Sequence, residues 1–264
     1  MAPGFPGAFI LGSGQWTSGA FYFIALPAMA LPFFYLPSYS AGQTEIVLDE
    51  DNSRHIIQVL RMQSGERLQL TDGKGVLLEA EIIEDHKKKC RVRVLSSRVF
   101  PPRPKQVTLA ISLLKNANRF EWMLEKAMEI GVGEIIPLLC QRTEKQHFRQ
   151  DRMQGILVSA LLQSQQVWLP VLHPPTAFGA VLQTAGGYTR RYIAHCLEEE
   201  KTSLKTAGGG ATGPSIILIG PEGDFSPEEI QQALAGGYQP VTLGGTRLRT
   251  ETAGIVAATL LCID

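Results

Sequence analysis

The sequence is poor in cysteine. Cys90, Cys140, Cys196 and Cys262 are the 4 cysteines in 264 residues, and they are widely scattered. No C-x-x-C pair or zinc-finger spacing occurs. This argues against structural zinc and against a disulfide framework, and it fits a reducing, cytoplasmic compartment with no metal. Net charge is absent too, because 25 Lys and Arg balance 25 Asp and Glu. That argues against a protein that coats nucleic acid through bulk charge. The first 28 residues contain no charged side chain and are rich in Gly, Pro and aromatics. They lack a basic n-region and an uninterrupted apolar run, so neither a signal peptide nor a membrane helix is expected. Residues 1–28 read as an upstream extension or a misplaced start ahead of Met29, with a flexible tail as the alternative. Familiar chemical motifs are missing as well. There is no GxxxxGK[ST], no GxGxxG after a strand, no G-x-S-x-G and no HExxH.

What remains is a globular composition, 44% hydrophobic and 19% charged, with room for one large domain or two small ones. Residues 31–100 look β-rich. The runs EIVL, ERLQLTD, GVLLEAEII and CRVRVLSS are short, partly alternating and bounded by turn residues. NSRHIIQVLRM (52–62) predicts one short helix with Asn52 or Ser53 as N-cap. A small barrel with an inserted helix is expected, ending at the Pro-rich FPPRPK (100–105). From 106 onward strands and helices alternate, which predicts a mainly parallel sheet covered by helices. Helices are expected over 118–131, with an Asn118/Glu121 capping pair and Gly131 as left-handed terminator, and over 152–166, 226–237 and 250–262. TAGGGATG (206–213) reads as a flexible connection.

Two glycine-bearing turns, each after a β-branched run, carry the functional signal. The first lies in SIILIGPEGDFSPEE (215–229) and the second in PVTLGGTRLRTETAG (240–254). Each reads strand, tight turn, helix start. Turns of this kind at one end of neighbouring strands line a crevice with backbone N–H groups and helix N-termini, where ligands bind in open α/β sheets. In the first, Ser226, Pro227 and Glu229 form a complete helix start, which leaves GPEG in excess of what a connection needs. In the second, Thr250 is the expected cap with Glu251 in the first turn, and Arg247 and Arg249 flank Leu248. Each arginine has two readings, a salt bridge or a ligand contact. His195, near a strand end, is either a packed side chain or a cofactor contact. Between Lys87 and Lys105 there are 8 Lys or Arg and no acid. Arg91 and Arg93 share one face of CRVRV there, which reads as an RNA-facing surface or as a solvated one.

Taken in order, IGPEGDFSPEE, LGGTRLRTETA, LEKAMEIGVGEIIPLLCQRTEK (124–145) and HIIQVLRMQSGE with TDGKG (55–75) resemble the RsmE family. These are 16S ribosomal RNA uridine-N3 methyltransferases of the SPOUT class. The resemblance covers residues 31–264. It implies an α/β fold: a PUA-like RNA-binding β-barrel over 29–103, then a SPOUT methyltransferase domain with a C-terminal trefoil knot over 104–264. It also implies S-adenosylmethionine as cofactor, a homodimer, and 16S ribosomal RNA or the small ribosomal subunit as partner. The cofactor would sit between the end of YIAHCLE, the GPEG turn and the LGGTRLR turn, against His195, Ile219, Gly220, Gly223, Leu243, Gly244 and Leu248. Arg249 is the expected catalytic group, stabilising the uridine anion, because a guanidinium cannot act as a base at ordinary pH. Arg91, Arg93, Lys87, Lys88, Lys89 and Arg142 are the expected RNA contacts. Three positions depart from the family pattern. Asp224 stands where another glycine is common. Leu162-Gln163-Ser164-Gln165-Gln166 replaces a Glu-Gln-x-x-Arg. Gly245 and Thr246 replace bulkier or basic residues. The alternatives are a SPOUT methyltransferase with another target nucleotide and a non-catalytic RNA-binding assembly factor.

Overall fold

Alternation builds the first sheet. In the computed structural model, which describes residues 31–144, 147–210 and 213–263, its strands are β1 (Phe33–Tyr35), β2 (Glu45–Val47), β3 (Arg67–Thr71), β4 (Val76–Glu84) and β5 (Arg91–Val99). The charge-free stretch at 1–28 lies outside the described residues. The strands pair in the order β1-β3-β4-β5-β2. Leu68, Leu70, Leu78, Ala80, Ile82 and Val92 point inward and close on Phe34, Ile46 and Ile56. Register shifts at Glu79/Ala80 and Ile82/Glu84 help to curl the ladder. β1 and β2 lie at opposite edges and do not pair with each other, so the expected barrel is a curled, half-open one.

The helix expected at 52–62 begins earlier and is shorter. It is α1 (Glu50–Arg54), followed by a π turn over His55–Val59. The N-cap is Asp49, which accepts from the Asn52 N–H at 2.9 Å. Asn52 and Ser53 are engaged elsewhere. Asn52 donates to the Tyr35 carbonyl at 3.0 Å, and Ser53 accepts from the Cys90 N–H at 2.9 Å.

The second sheet holds β6 (Lys105–Ser112), β7 (Glu134–Leu139), β8 (Val171–Leu172), β9 (Thr176–Ala177), β10 (Arg190–Ala194), β11 (Thr202–Ser203), β12 (Gly213–Ile219) and β13 (Gln239–Thr242). All its pairings are parallel, in the order β11-β13-β10-β12-β6-β7-β8, with β9 beside β7. Its central strands are apolar on both faces, as a parallel sheet covered on both sides requires. Ile217 and Ile219 of β12 face one layer, with α2 (Ala117–Ile130), α3 (Gln150–Gln163) and α7 (Thr250–Cys262). Ile216 and Leu218 face the other, with α4 (Phe178–Gln183) and α6 (Pro227–Ala235). The chain leaves β13, near the far edge, and returns as α7 to pack on β6 and α2. Gly254 permits that approach, since a Cβ there would sit 2.6 Å from Ile111.

Several local expectations need correction. The cap of α2 is Asn116, which accepts from Asn118 N–H at 3.0 Å. Glu121 is no part of it and instead binds the Arg152 guanidinium at 2.5 and 2.8 Å. Gly131 does terminate α2, at φ +106. The stretch expected to be a flexible connection contains part of a short helix, α5 (Leu204–Gly208). Gln166, at the departure on the middle helix, accepts from Arg103 and donates to the Glu129 carbonyl at 2.8 Å. The β3–β4 turn is stitched to the α3–β8 connection by Leu169 N–H to Gly73 O and Gly75 N–H to Val167 O, both 2.8 Å. Residues from Leu31 onward accordingly form one packed unit.

Candidate active site

β10, β12 and β13 are parallel neighbours, with Ala194 opposite Ile219 on one side and Val241 on the other. Their C-terminal ends therefore open on one edge of the sheet. Three loops leave that edge, starting at His195, Gly220 and Leu243. They enclose two adjoining cavities of about 340 and about 500 Å³, which share Ala194, Cys196, Arg247, Leu248 and Ala253. A further cavity of about 290 Å³ lies elsewhere, between the β3–β4 turn and the starts of β6 and β7.

The GPEG loop is braced from both ends. Ser226 and Glu229 form the capping box, with Pro227 at the first helical position. The Glu229 carboxylate also accepts from the Gln141 N–H at 2.8 Å. The neighbouring Arg142 donates to the Gly223 carbonyl at 2.7 Å and to that of Phe225 at 3.4 Å. Arg142 thus supports the loop itself. Gly220 is needed for packing: a Cβ there would lie 3.1 Å from the backbone and ring of the buried Phe225. Gly223 carries no such demand, since a Cβ would make only ordinary contact with Arg142 at 3.6 Å. Asp224 adopts φ +63, and its carboxylate accepts from the N–H groups of Cys196 and Phe225, both at 2.8 Å.

In the first loop, His195 is only 7% exposed, and neither ring nitrogen has a hydrogen-bond partner among the described residues. Burial, and then the Lys201 ammonium, hold its pKa below the ordinary histidine value against the pull of Asp224 and Glu199. Lys201 donates to the carbonyls of His195 at 2.9 Å and Leu197 at 2.6 Å. In the third loop, Gly244 takes φ +148, and the Thr242 hydroxyl donates to its carbonyl at 2.9 Å. Thr250 is not the cap of α7. That position is Arg249, which makes no side-chain cap bond. Arg247 and Arg249 are exposed, and among the described residues neither has an ion-pair partner. The acid beside them, Glu251, is buried and faces Arg119 at 3.6 Å. The salt-bridge reading of Arg249 therefore finds no carboxylate.

His195, Ile219, Gly220, Leu243, Gly244, Leu248 and Arg249 all line these two cavities, as does Asp224. Gly223 does not, although it belongs to the same turn. Cys196, inside the expected YIAHCLE loop but not singled out there, and Lys201, missed by sequence reasoning, also line the site. Their only signal was position just beyond a strand end. The expected RNA contacts Lys87 to Lys89, Arg91 and Arg93 lie on the other sheet and its β4–β5 turn. Arg91 and Arg93 do share the exposed face of β5, as alternation predicts. The basic stretch is acid-free in sequence but not in space. Arg91 meets Glu45 at 2.8 Å and Glu84 at 3.5 Å, Arg93 meets Glu45 at 3.9 Å, and Lys88 meets Glu50 at 3.4 Å. Lys87 and Lys89 are exposed in the β4–β5 turn. Among the described residues, no group of three His, Cys, Asp or Glu could hold a metal, and no helix is long and apolar enough to cross a membrane.

The half-open β-sheet module and the parallel sheet with its three-loop crevice coincide with the two modules of an RNA methyltransferase. The RNA methyltransferase domain family matches residues 101–262, and the RNA methyltransferase PUA domain family matches 48–95. The ribosomal RNA small subunit methyltransferase E of a Synechocystis strain is 30% identical, over 81% of this chain and 72% of that protein. A probable rRNA-methyltransferase structure from Porphyromonas gingivalis superposes with TM-score 0.81 at 38% identity, covering 88% of this chain and 98% of that one. The Neisseria gonorrhoeae ribosomal RNA small subunit methyltransferase E, bound to S-adenosyl methionine, superposes with TM-score 0.77 at 29% identity, over 86% and 95%. This chain belongs to the ribosomal RNA small subunit methyltransferase E family.

Proposed function

We propose that the protein methylates N3 of a uridine in 16S ribosomal RNA of the small subunit, with S-adenosylmethionine as donor. The observation that carries this is the pair of adjoining cavities between three loops, walled by glycine-bearing backbone and by a buried histidine with both nitrogens unsatisfied. A buried polar side chain without a partner is costly unless a ligand supplies one. The Neisseria relative binds this cofactor on the same fold. When bound, S-adenosylmethionine supplies an electrophilic methyl group on a sulfonium.

This chain's residues do the rest. Main chain around Gly220 and Gly244 would hold the cofactor, with Ile219, Leu243 and Leu248 as apolar walls and the His195 ring available to a polar group. Gly223 shapes the turn from behind, through its carbonyl bond to Arg142. The uracil N3 must lose its proton, which passes to solvent water, before it can take the methyl group. Arg249, exposed at the cavity rim and without a carboxylate partner among the described residues, stabilises the resulting anion. Arg91, Arg93 and Lys87 to Lys89 meet RNA phosphates, with the paired carboxylates confining the basic potential to part of the face.

The division at 103/104, a trefoil knot formed as α7 returns beneath the sheet, a homodimer and a cytoplasmic location complete the proposal. Mass mapping of methylated nucleotides in ribosomal RNA from a deletion strain tests it. The expected result is loss of one methyl from a uridine of the small-subunit RNA. Loss from a different nucleotide type would assign another target. No loss, together with no calorimetric binding of S-adenosylmethionine, would leave an assembly factor.

A further inference from the structure

Among the described residues, three non-glycines have a left-handed backbone: Arg61, Gln165 and Asp224. Such a conformation costs a side chain what glycine avoids, and aspartate tolerates it better than most. Asp224 is the one that lines the cavity beneath the GPEG turn. Its two oxygens act differently. Oδ1 accepts from the next residue, Phe225, within the loop. Oδ2 reaches across to the first loop and accepts from the Cys196 N–H at 2.8 Å. The carbonyls on either side of Cys196, those of His195 and Leu197, are held by the Lys201 ammonium. Three backbone groups, one from each of three consecutive residues of the first loop, are thus held by opposite charges. Inside this grip sits the His195 ring, buried and without a hydrogen-bond partner among the described residues.

We propose that Asp224 is a positioning residue: its carboxylate clasps the first loop to the second and so sets the affinity for S-adenosylmethionine. It takes no part in methyl transfer. This rests on the proposed function, because it takes the three-loop crevice as the cofactor site. The clasp is a charge-assisted bond from a carboxylate to a backbone N–H, a stronger class of hydrogen bond than a neutral pair. Losing it frees the Cys196 N–H and unties the first loop from the second, so that the ligand must supply this ordering, which weakens binding by that cost.

Two variants test the clasp. Asp224→Gly removes the carboxylate and suits φ +63. Asp224→Asn keeps one acceptor oxygen without charge. In cofactor-free protein, Asp224→Gly should speed amide hydrogen exchange at Cys196 by about tenfold or more. Its calorimetric Kd and its KM for S-adenosylmethionine should rise about tenfold, roughly 1.4 kcal/mol. Its kcat at saturating cofactor should stay within about twofold of wild type, and its melting temperature should not fall. Asp224→Asn has one amide oxygen for the two N–H donors of Cys196 and Phe225, so its affinity should lie between those of Asp224→Gly and wild type. Wild-type exchange and affinity in the Gly variant would overturn the clasp. So would a fall in kcat with unchanged KM. Wild-type protein that binds no S-adenosylmethionine would overturn the proposed function as well, so the two failures are distinguishable.

Discussion

Replacing Arg249 with alanine separates catalysis from architecture. The side chain is exposed at the rim of the 340 Å³ cavity and has no carboxylate partner among the described residues. It also makes no cap bond to α7. Its removal should therefore cost little folding stability, within about 0.5 kcal/mol, as for surface positions without such features. In a protein of this size that is a melting shift of about 2 °C or less. Cofactor affinity should also hold, because Gly220, Gly244 and the leucines form the walls. The loss falls on the step where negative charge develops on the uracil. Removing one preorganised donor at such a place costs on the order of 3 kcal/mol, or about a hundredfold in turnover. Single-turnover rates on saturating RNA, calorimetry with S-adenosylmethionine and thermal melting should be measured on the same variant. Parallel losses in all three would refute the reasoning and make Arg249 a structural residue.

Gly220→Val should weaken both cofactor binding and stability, because the new side chain meets Phe225 from 3.1 Å outward. Overpacking of this kind costs about 1–3 kcal/mol, and calorimetry with near-normal affinity would show the pocket to be elsewhere. Charge reversal at Arg91 and Arg93 should weaken RNA binding and flatten its salt dependence while stability changes by about 1 kcal/mol at most, since the ion pairs with Glu45 and Glu84 are exposed. An unchanged salt slope would remove these residues from the RNA surface. His195 is held below its ordinary value of 6.5, so the folded protein keeps the ring neutral while the unfolded chain protonates. Its contribution to stability is complete above about pH 6.5 and is lost as pH falls through that value toward the depressed folded one. Melting curves of wild type and His195→Phe should converge differently with pH across this window, and strictly parallel curves would exclude the effect.

Much of the architecture is legible because its causes are local. Ser226, Pro227 and Glu229 start α6 through groups three residues apart. Gly131 ends α2 because its φ of +106 suits a residue without a side chain. Val92 turns inward and Arg91 and Arg93 outward because a strand alternates. The two glycine turns announce a crevice for the same reason, since strand, turn and helix start are contiguous.

What tertiary structure decided lies in contacts between distant segments. Whether β10 runs beside both β12 and β13, bringing His195 to the same edge as the two glycine turns, depends on strand order, which no window of sequence contains. Asn118 and Glu121 have capping spacing, yet Glu121 is taken by Arg152 from α3. The stretch after Lys87 is acid-free in sequence, but Glu45 arrives beside Arg91 from the opposite strand. Arg142 and Asp224, read as an RNA contact and as a departure from the family pattern, brace two of the three loops through groups 81 and 28 residues away. The sequence by itself determined the turns and helix starts, because backbone preference is settled by near neighbours. Only the fold decided which charges meet and which are left for a ligand, because charges pair by distance in space.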